Sequence, residues 1–457
     1  MAESELLSRA QCREIFGRVE RAALAAGAEE VEAMLGATRS ALTRFANNTI
    51  HQSVADERRY VSIRARIGGR TARATTNRLE ADSLSAAAAY AVEIARAVEP
   101  DPELLPVAEP AEHSEVDRYR PSTARSTPQE RARVVAEAIA LVRKADQTAA
   151  GIYSAGQSVE AILNSRGLFC YYFDTLAQFS ITAMDQDSSG WAKASAPDSN
   201  DFDALGLARR ASERAALSRR PRELAPGRYT VILEPAATGD LTGQLFPDFS
   251  ATAIRDQRSF LTGRIGTQLF GAAVNIADDV CHPLQCGPPF DGEGVPRRRL
   301  ALVEKGVVRE VAYSRQAARR EAARRASVSP TGHGFPVPNE HGEAPVNIVM
   351  EGGGHALEDL IASTGRGILV TRLWYIREVD PYQKIMTGLT RDGTFLIEGG
   401  RLVCGLRNLR FNQNLIELLN NVEAMSPAVR TSGEESFDMV VPALKVREFN
   451  FTDVTRF

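Results

Sequence analysis

The stretch from Arg366 to Leu419 constrains the fold more than any other, because its hydrophobic period changes from strand-like to helix-like within one short span. Ile368 to Ile376 is rich in β-branched and aromatic residues, which suit a pleated, half-buried surface. Asp392-Gly393 is a hairpin signal, since both central residues of such a turn must tolerate positive φ. Glu398-Gly399-Gly400 marks a second turn. The segments 385–391, 394–398 and 401–406 therefore read as a three-stranded meander, with Arg391-Asp392 at its tip. A helix is expected from about Asn412, because Leu415, Leu418, Leu419 and Val422 follow at i, i+3, i+4 and i+7. This is a β-rich domain with a closing helix.

At 457 residues the chain is too long for one ordinary core, so two or three domains are expected. Residues 9–26 predict a helix that Gly27 ends. Strands follow at 31–39, 41–45, 49–55, 59–67 and 70–76, with turns at Asn47-Asn48 and Gly68-Gly69. Asp82 or Ser83 would cap an alanine-rich helix from Ser85 to Val98. Between 99 and 128 six prolines stand among acidic residues, which reads as a linker without regular structure. A helix at 129–146 precedes apparent strands at 151–154, 158–165, 168–174 and 177–185. Another helix runs from Phe202 to Arg219, and Pro221, Pro226 and Gly227 mark a boundary before the strand Tyr229–Leu233. The class is α+β: an N-terminal α+β domain (1–98), a Pro-rich linker (99–128), a central α+β domain (129–225) and a β-rich C-terminal domain (226–457).

Three motifs in this order carry a resemblance: the 366–419 stretch, Phe290-Asp291-Gly292-Glu293-Gly294-Val295-Pro296-Arg297-Arg298, and Val441-Pro442-Ala443-Leu444-Lys445-Val446-Arg447. Together they resemble the TldD/PmbA family, metallopeptidase-related proteins also called modulators of DNA gyrase, from about residue 15 to the C-terminus. The resemblance implies a C-terminal domain of the TldD/PmbA type. It also implies a zinc site in active members, built from His-Glu, three residues and His just after the first strand of that domain. Here the stretch Leu233-Glu234-Pro235-Ala236-Ala237-Thr238-Gly239-Asp240-Leu241 has no histidine, and the tail Ser426–Phe457 lacks the cysteine that active members use. Both departures match the PmbA (TldE) branch. The resemblance then implies no metal ligand, no catalytic residue and no cofactor in this chain. A TldD-like partner would supply zinc in a heterodimer that cleaves unfolded or leader peptides, and a homodimer is the other assembly expected. A non-proteolytic, homo-oligomeric peptide-binding or scaffold protein is the alternative.

The remaining signals narrow the function. A net charge of −3 gives no ground for a nucleic-acid partner, and no apolar run is long enough for a membrane span. Five scattered cysteines fit a reducing compartment, and Met1 to Phe16 lacks the pattern of a signal peptide, so a cytoplasmic location is expected. Cys281, His282 and Cys286 match no zinc spacing and read as a loop with ordinary thiols, although with His333 and His341 they are what an independent peptidase would have to use. His333 and His341 lie in a Gly/Pro-rich segment read as a mobile loop lining a partner or peptide groove. Glu351-Gly352-Gly353-Gly354-His355 reads as a tight turn before a capped helix, Ala356–Ser363, rather than an anion site. Arg315, Arg319, Arg320, Arg324 and Arg325 have helical spacing without interleaved aromatics, which favours a solvated face or an acidic partner over phosphate binding. No G-x-S-x-G elbow is present. Arg372 and Trp374 on one face of the 368–376 strand, Arg391 beside Asp392, and Asn408 and Arg410 after the meander are the candidates for holding an extended peptide, whose backbone an edge strand can pair.

Overall fold

The computed structural model describes residues 4–323, 328–431 and 433–455. The order of elements begins α1 (Arg9–Ala25), β1 (Glu30–Ala46), β2 (Thr49–Ile67), β3 (Arg70–Thr76), α2 (Ala81–Ala97), α3 (Pro121–Ala124) and α4 (Pro128–Arg143). It continues with β4 (Thr148–Asn164), β5 (Phe169–Met184), β6 (Ser189–Ala196) and α5 (Ala204–Leu217). The short strands expected here merge into long ones: the four segments between 31 and 67 are two strands joined at Asn47-Asn48, both with positive φ. Polar residues that broke the sequence pattern, such as Arg39-Ser40, sit where the strand faces solvent and pairing continues regardless. Strand β6 was not foreseen, because Ser189–Ala196 lies between two polar stretches.

All six strands form one antiparallel sheet, β3-β2-β1-β4-β5-β6, so residues on both sides of the Pro-rich segment share a sheet through the β1–β4 ladder. Helices cover one face in two blocks. One core places Cys12, Phe16 and Val19 of α1 and Leu84, Ala88 and Val92 of α2 on Leu35, Ile63 and Ala161. The other places Val135 and Ile139 of α4 and Ala208 and Ala211 of α5 on Phe45, Phe179 and Ile181. The small alanines let the helices lie close to the sheet. Helix α2 begins at Ala81, ahead of both expected caps, Asp82 and Ser83, and the 99–128 segment contains the one-turn helix α3.

The second half contains β7 (Gly227–Leu233), α6 (Pro235–Thr242), a 3₁₀ turn (Gly243–Asp248), α7 (Ala251–Arg255), β8 (Ile276–Asp278), β9 (Leu300–Glu304), β10 (Val307–Val308) and α8 (Arg315–Ala322). Next come β11 (Ile348–Met350), α9 (Leu357–Ala362), β12 (Arg366–Asp380), β13 (Ile385–Glu398), β14 (Arg401–Gly405), β15 (Leu409–Asn414) and α10 (Leu415–Asn420). The chain closes with β16 (Val422–Met425), β17 (Val429–Thr431), β18 (Met439–Val441) and β19 (Leu444–Val454). Strands β12, β7, β19, β15 and β13 are neighbours in that order, and β13 also pairs with β12, so the five close into a barrel. A second sheet, β10-β9-β8-β11-β18-β17, shares one core with it: Val231 and Ile368 of the barrel belong with Leu300 and Ile348 of that sheet. The class is α+β, as expected.

Two expectations in the 366–419 stretch are overturned. Asp392-Gly393 is not a hairpin tip but lies inside β13, where the two residues oppose the single Thr371 as a β-bulge. The same tolerance for positive φ (49° and 140°) serves a bulge as well as a turn. The actual connection is Pro381–Lys384, so the segments 385–391 and 394–398 are one strand, paired to β12 rather than to each other. The expected helix from Asn412 starts only at Leu415, capped by the Asn414 side chain, because Asn412 to Asn414 still pair with β13. A Cβ on Gly393 would stand 2.3 Å from Thr371 Oγ1 in a positive-φ position. Gly393→Val should therefore cost about 2 kcal/mol or more, read from urea denaturation midpoints.

Candidate functional site

Strand β7 delivers the chain to Glu234, and Pro235 starts α6 at the first helical position, where its missing N–H costs nothing. Residues Ala237 to Thr242 are all buried, so α6 lies inside the protein against β12, β17 and β18. Glu234 is 4% exposed. Its Oε2 accepts a hydrogen bond from Arg210 Nη2 at 2.9 Å, and Arg214 Nη2 bonds its Oε1. Arg210 and Arg214 are one helical turn apart on α5, which places both guanidiniums on one face. Arg214 also donates to Thr371 Oγ1 at 2.9 Å and lies over the Phe395 ring at 5.1 Å. One carboxylate thus ties α5 of the six-stranded layer to the mouth of the barrel.

At the other end of the helix, Asp240 is fully buried. Its Oδ1 accepts the backbone N–H groups of Glu434 and Glu435, both at 2.9 Å, while its Oδ2 has no hydrogen-bond partner among the described residues. Desolvation pushes the Asp240 carboxyl up to about 7; the two N–H bonds oppose this, and the charges of Glu434 and Glu435 add to it. The loop 433–438 that Asp240 holds is fixed from several sides. Lys193 Nζ donates to the Gly433 carbonyl at 3.0 Å, and Ser195 Oγ donates to Asp438 at 3.1 Å. The Glu435 carboxylate accepts the N–H groups of Tyr375 and Ile376 at 2.7 and 3.2 Å.

The bulge in β13 builds a second cluster beside this one. Arg372 is ion-paired to Asp392, and its guanidinium lies 4.8 Å from the centroid of Trp191 and 5.8 Å from that of Trp374. Ser189 of β6 donates to Asp392 Oδ1 at 2.5 Å. The Arg391 guanidinium lies 4.7 Å from the Trp374 centroid, and Arg391 is the cross-strand partner of Arg372. Arg372, Trp374 and Arg391 are therefore brought together. Arg372 is buried with its charge neutralised, Trp374 is half-buried and Arg391 is exposed. Asn408 and Arg410 do not join them. The Asn408 carbonyl accepts the Thr455 N–H at 2.8 Å, and Arg410 is exposed on β15, one strand away, opposite Leu389.

The remaining sequence candidates fall elsewhere. His333 is fully buried with Nε2 3.1 Å from Asp278 Oδ1 and Nδ1 3.0 Å from Thr331 Oγ1, while His341 is exposed beside the Phe335 ring. Cys281 is exposed, Cys286 half-buried, and His282 Nδ1 accepts the Leu284 N–H at 3.3 Å. The arginine run forms α8 as far as Ala322; Arg324 and Arg325 lie outside the described residues. The GGG stretch leads to α9, a helix of six residues starting at Leu357. Arg210, Arg214 and Trp191 escaped the sequence reading, and Glu234 and Asp240 entered it only as members of the stretch without histidine. The one usable signal was Arg210 and Arg214 at i and i+4, with a Glu-Pro pair after a strand.

Comparison with known proteins agrees with this architecture. Family models match 226–453 (PmbA/TldA metallopeptidase C-terminal domain), 125–219 (central domain) and 31–95 (domain 1). The chain belongs to the PmbA/TldD metallopeptidase family. A metalloprotease of Methanothermobacter thermautotrophicus is 24% identical over 292 residues, which is 60% of this chain and 61% of that protein. An uncharacterised protein of Methanocaldococcus jannaschii is 30% identical over 180 residues, 37% of this chain and 42% of its own length. These matches span less than two thirds of either relative. Among solved structures, TldE from Thermococcus kodakarensis superposes with a TM-score of 0.85 at 21% identity, covering 96% of this chain and all of that one. A protein described as a modulator of a DNA gyrase from Thermotoga maritima gives 0.83 at 23% identity, with the same coverage.

A metallopeptidase family implies zinc, and the donors present here do not fit it. Around α6 the carboxylates are committed to Arg210 and Arg214 or to backbone N–H groups. Among the described residues no three His, Cys, Asp or Glu side chains converge on a possible ion. Two outcomes follow. Glu234→Gln removes the counter-charge of two arginines, one of them largely buried, and should cost about 3 kcal/mol in chemical denaturation. The folded pKa of Asp240 lies above its ordinary 3.8, so its favourable contribution is full below 3.8 and is lost as pH rises towards 7. Asp240→Asn should flatten the fall in urea midpoint between pH 5 and pH 8; an unchanged slope would contradict this assignment.

Proposed function

We propose that this chain is the zinc-free, PmbA/TldE-like subunit of a heterodimeric metallopeptidase. A TldD-like partner would carry zinc, and the substrate is an unfolded or leader peptide. One observation carries the reading: the stretch where zinc-bearing relatives place His-Glu-x-x-x-His here has no histidine, and its Glu234 and Asp240 Oδ1 join structural elements instead. A carboxylate held between two guanidiniums already has its negative charge balanced, which makes it a poor ligand for a cation.

In this reading the chain contributes shape and backbone hydrogen bonds. The water-activating zinc and its general base come from the partner. Arg391 and Trp374, and apart from them Asn408 and Arg410, are the residues assigned to the substrate, while Arg372, paired to Asp392 and close to the Trp374 ring, helps to position that ring. The location proposed is the cytoplasm; among the described residues no helix is long and apolar enough to cross a membrane.

The test is reconstitution. The purified chain, a TldD-like subunit and their mixture are assayed on a fluorogenic unstructured peptide, with co-elution on gel filtration as the binding readout. The reading expects no turnover by the chain alone, a stable mixed complex, and chelator-sensitive cleavage that depends on both chains. Cleavage by the chain alone, or failure to bind the partner while still retaining extended peptides, would replace it with an independent peptidase or with the peptide-binding scaffold.

A further inference from the structure

A cleft of about 1180 Å³ is remote in function from the α6 site and is used by nothing above. It runs between α7, the turn at 263–265, α8 and the Pro-rich segment. Its floor includes Ile254 and Val311, and its rim carries Arg255, Arg319 and Arg320. Arg319 has no acidic partner within ion-pair distance among the described residues, and Arg255 engages Asp256 through Nε alone, at 2.8 Å. An apolar floor under several guanidiniums suits a chain that is both extended and acidic, because each arginine can offer two parallel donors to a carboxylate.

The protein already shows such a contact to itself. From the Pro-rich segment, Glu103 reaches over the rim, and its Oε2 accepts Arg320 Nε at 2.7 Å and Arg320 Nη2 as well. Asp101, two residues earlier, accepts Gln316 Nε2 at 3.4 Å. Glu103 is held below the usual carboxylate range by its bond to Arg320 and by the charges of Arg320, Arg255 and Arg319, so all three guanidiniums act on one point. The segment Glu99-Pro100-Asp101-Pro102-Glu103 is thus an acidic, proline-rich stretch without regular structure, turning at Pro102-Glu103, that lies against the arginine rim. It fills the edge of the cleft and leaves the floor open.

We infer that this cleft is a binding site for an acidic extended peptide segment, and that Glu103 occupies its first carboxylate position in cis. An incoming acidic chain competes with Glu103 for Arg320, gains Arg319 and Arg255, and lays its apolar side chains over Ile254 and Val311. The site lies outside the zinc question and does not depend on the zinc-free assignment: it would serve equally in a peptidase subunit or in a scaffold.

The experiment is fluorescence anisotropy on the full chain at low ionic strength. One labelled peptide copies residues 99–105, and a second has Gln and Asn in place of its acids. The acidic peptide should bind and the neutral one should not, and added salt should weaken binding. Arg319→Glu should weaken it about tenfold and Arg319→Gln about threefold, with unchanged circular dichroism confirming the fold. Glu103→Gln should tighten it about threefold by removing the internal competitor. Equal binding of the neutral peptide, indifference to both Arg319 variants, or weaker binding by Glu103→Gln would overturn the inference. So would a single-stranded oligonucleotide displacing the peptide at lower concentration than unlabelled acidic peptide does.

Discussion

The Glu234 carboxylate, held between Arg210 and Arg214, is the contact on which the arrangement of the two halves turns. It stands where the chain passes from the first barrel strand into a buried helix, and both its partners belong to the other half. A buried charge is tolerated only when it is paired and hydrogen-bonded. Glu234 meets that condition through α5, Arg214 extends it to Thr371, and Thr371 is the residue facing the Asp392-Gly393 bulge. From there Asp392 pairs with Arg372, and Arg372 packs on Trp191 of β6. The polar path begins and ends in the six-stranded layer and crosses the barrel between.

That path explains how α6 can be so deeply buried with a carboxylate at each end. A catalytic helix needs side chains with unsatisfied valence pointing at solvent or substrate. In α6 the side-chain valence is used up at one end by arginines and at the other by the loop 433–438. The exception is Asp240 Oδ2, whose desolvation raises the carboxyl towards neutrality instead of preparing it for a cation. Family membership therefore sits beside a local chemistry that is structural, and the proposed division of labour between two subunits follows from their difference.

Much of this was legible in the sequence, and what was missed has physical causes. The turns at Asn47-Asn48 and Gly399-Gly400, the helix ended by Gly27, the helix expected from 129, and the α+β class all rest on local backbone preference, which a sequence displays. The Asp392-Gly393 bulge was misread because positive φ is a property of residues, whereas the choice between a turn and a bulge depends on what lies opposite. Long strands were broken into pieces because exposed polar residues interrupt a hydrophobic pattern without interrupting hydrogen bonds. Arg372 and Trp374 were read as sharing one face of the strand, but the packing of Arg372 on Trp191 is a contact between residues nearly two hundred positions apart. Asp240 carries no local signal at all, since its environment comes from a loop that arrives near the end of the chain.

The central claim is that the donors around α6 are committed to structure and leave no zinc site in this chain. Metal analysis by plasma mass spectrometry on the chain purified alone, after dialysis against excess zinc and removal of the free ion, tests it directly. The account predicts less than about a tenth of an equivalent of zinc bound per chain. One equivalent of zinc, lost on Asp240→Ala or Glu234→Ala, would contradict it.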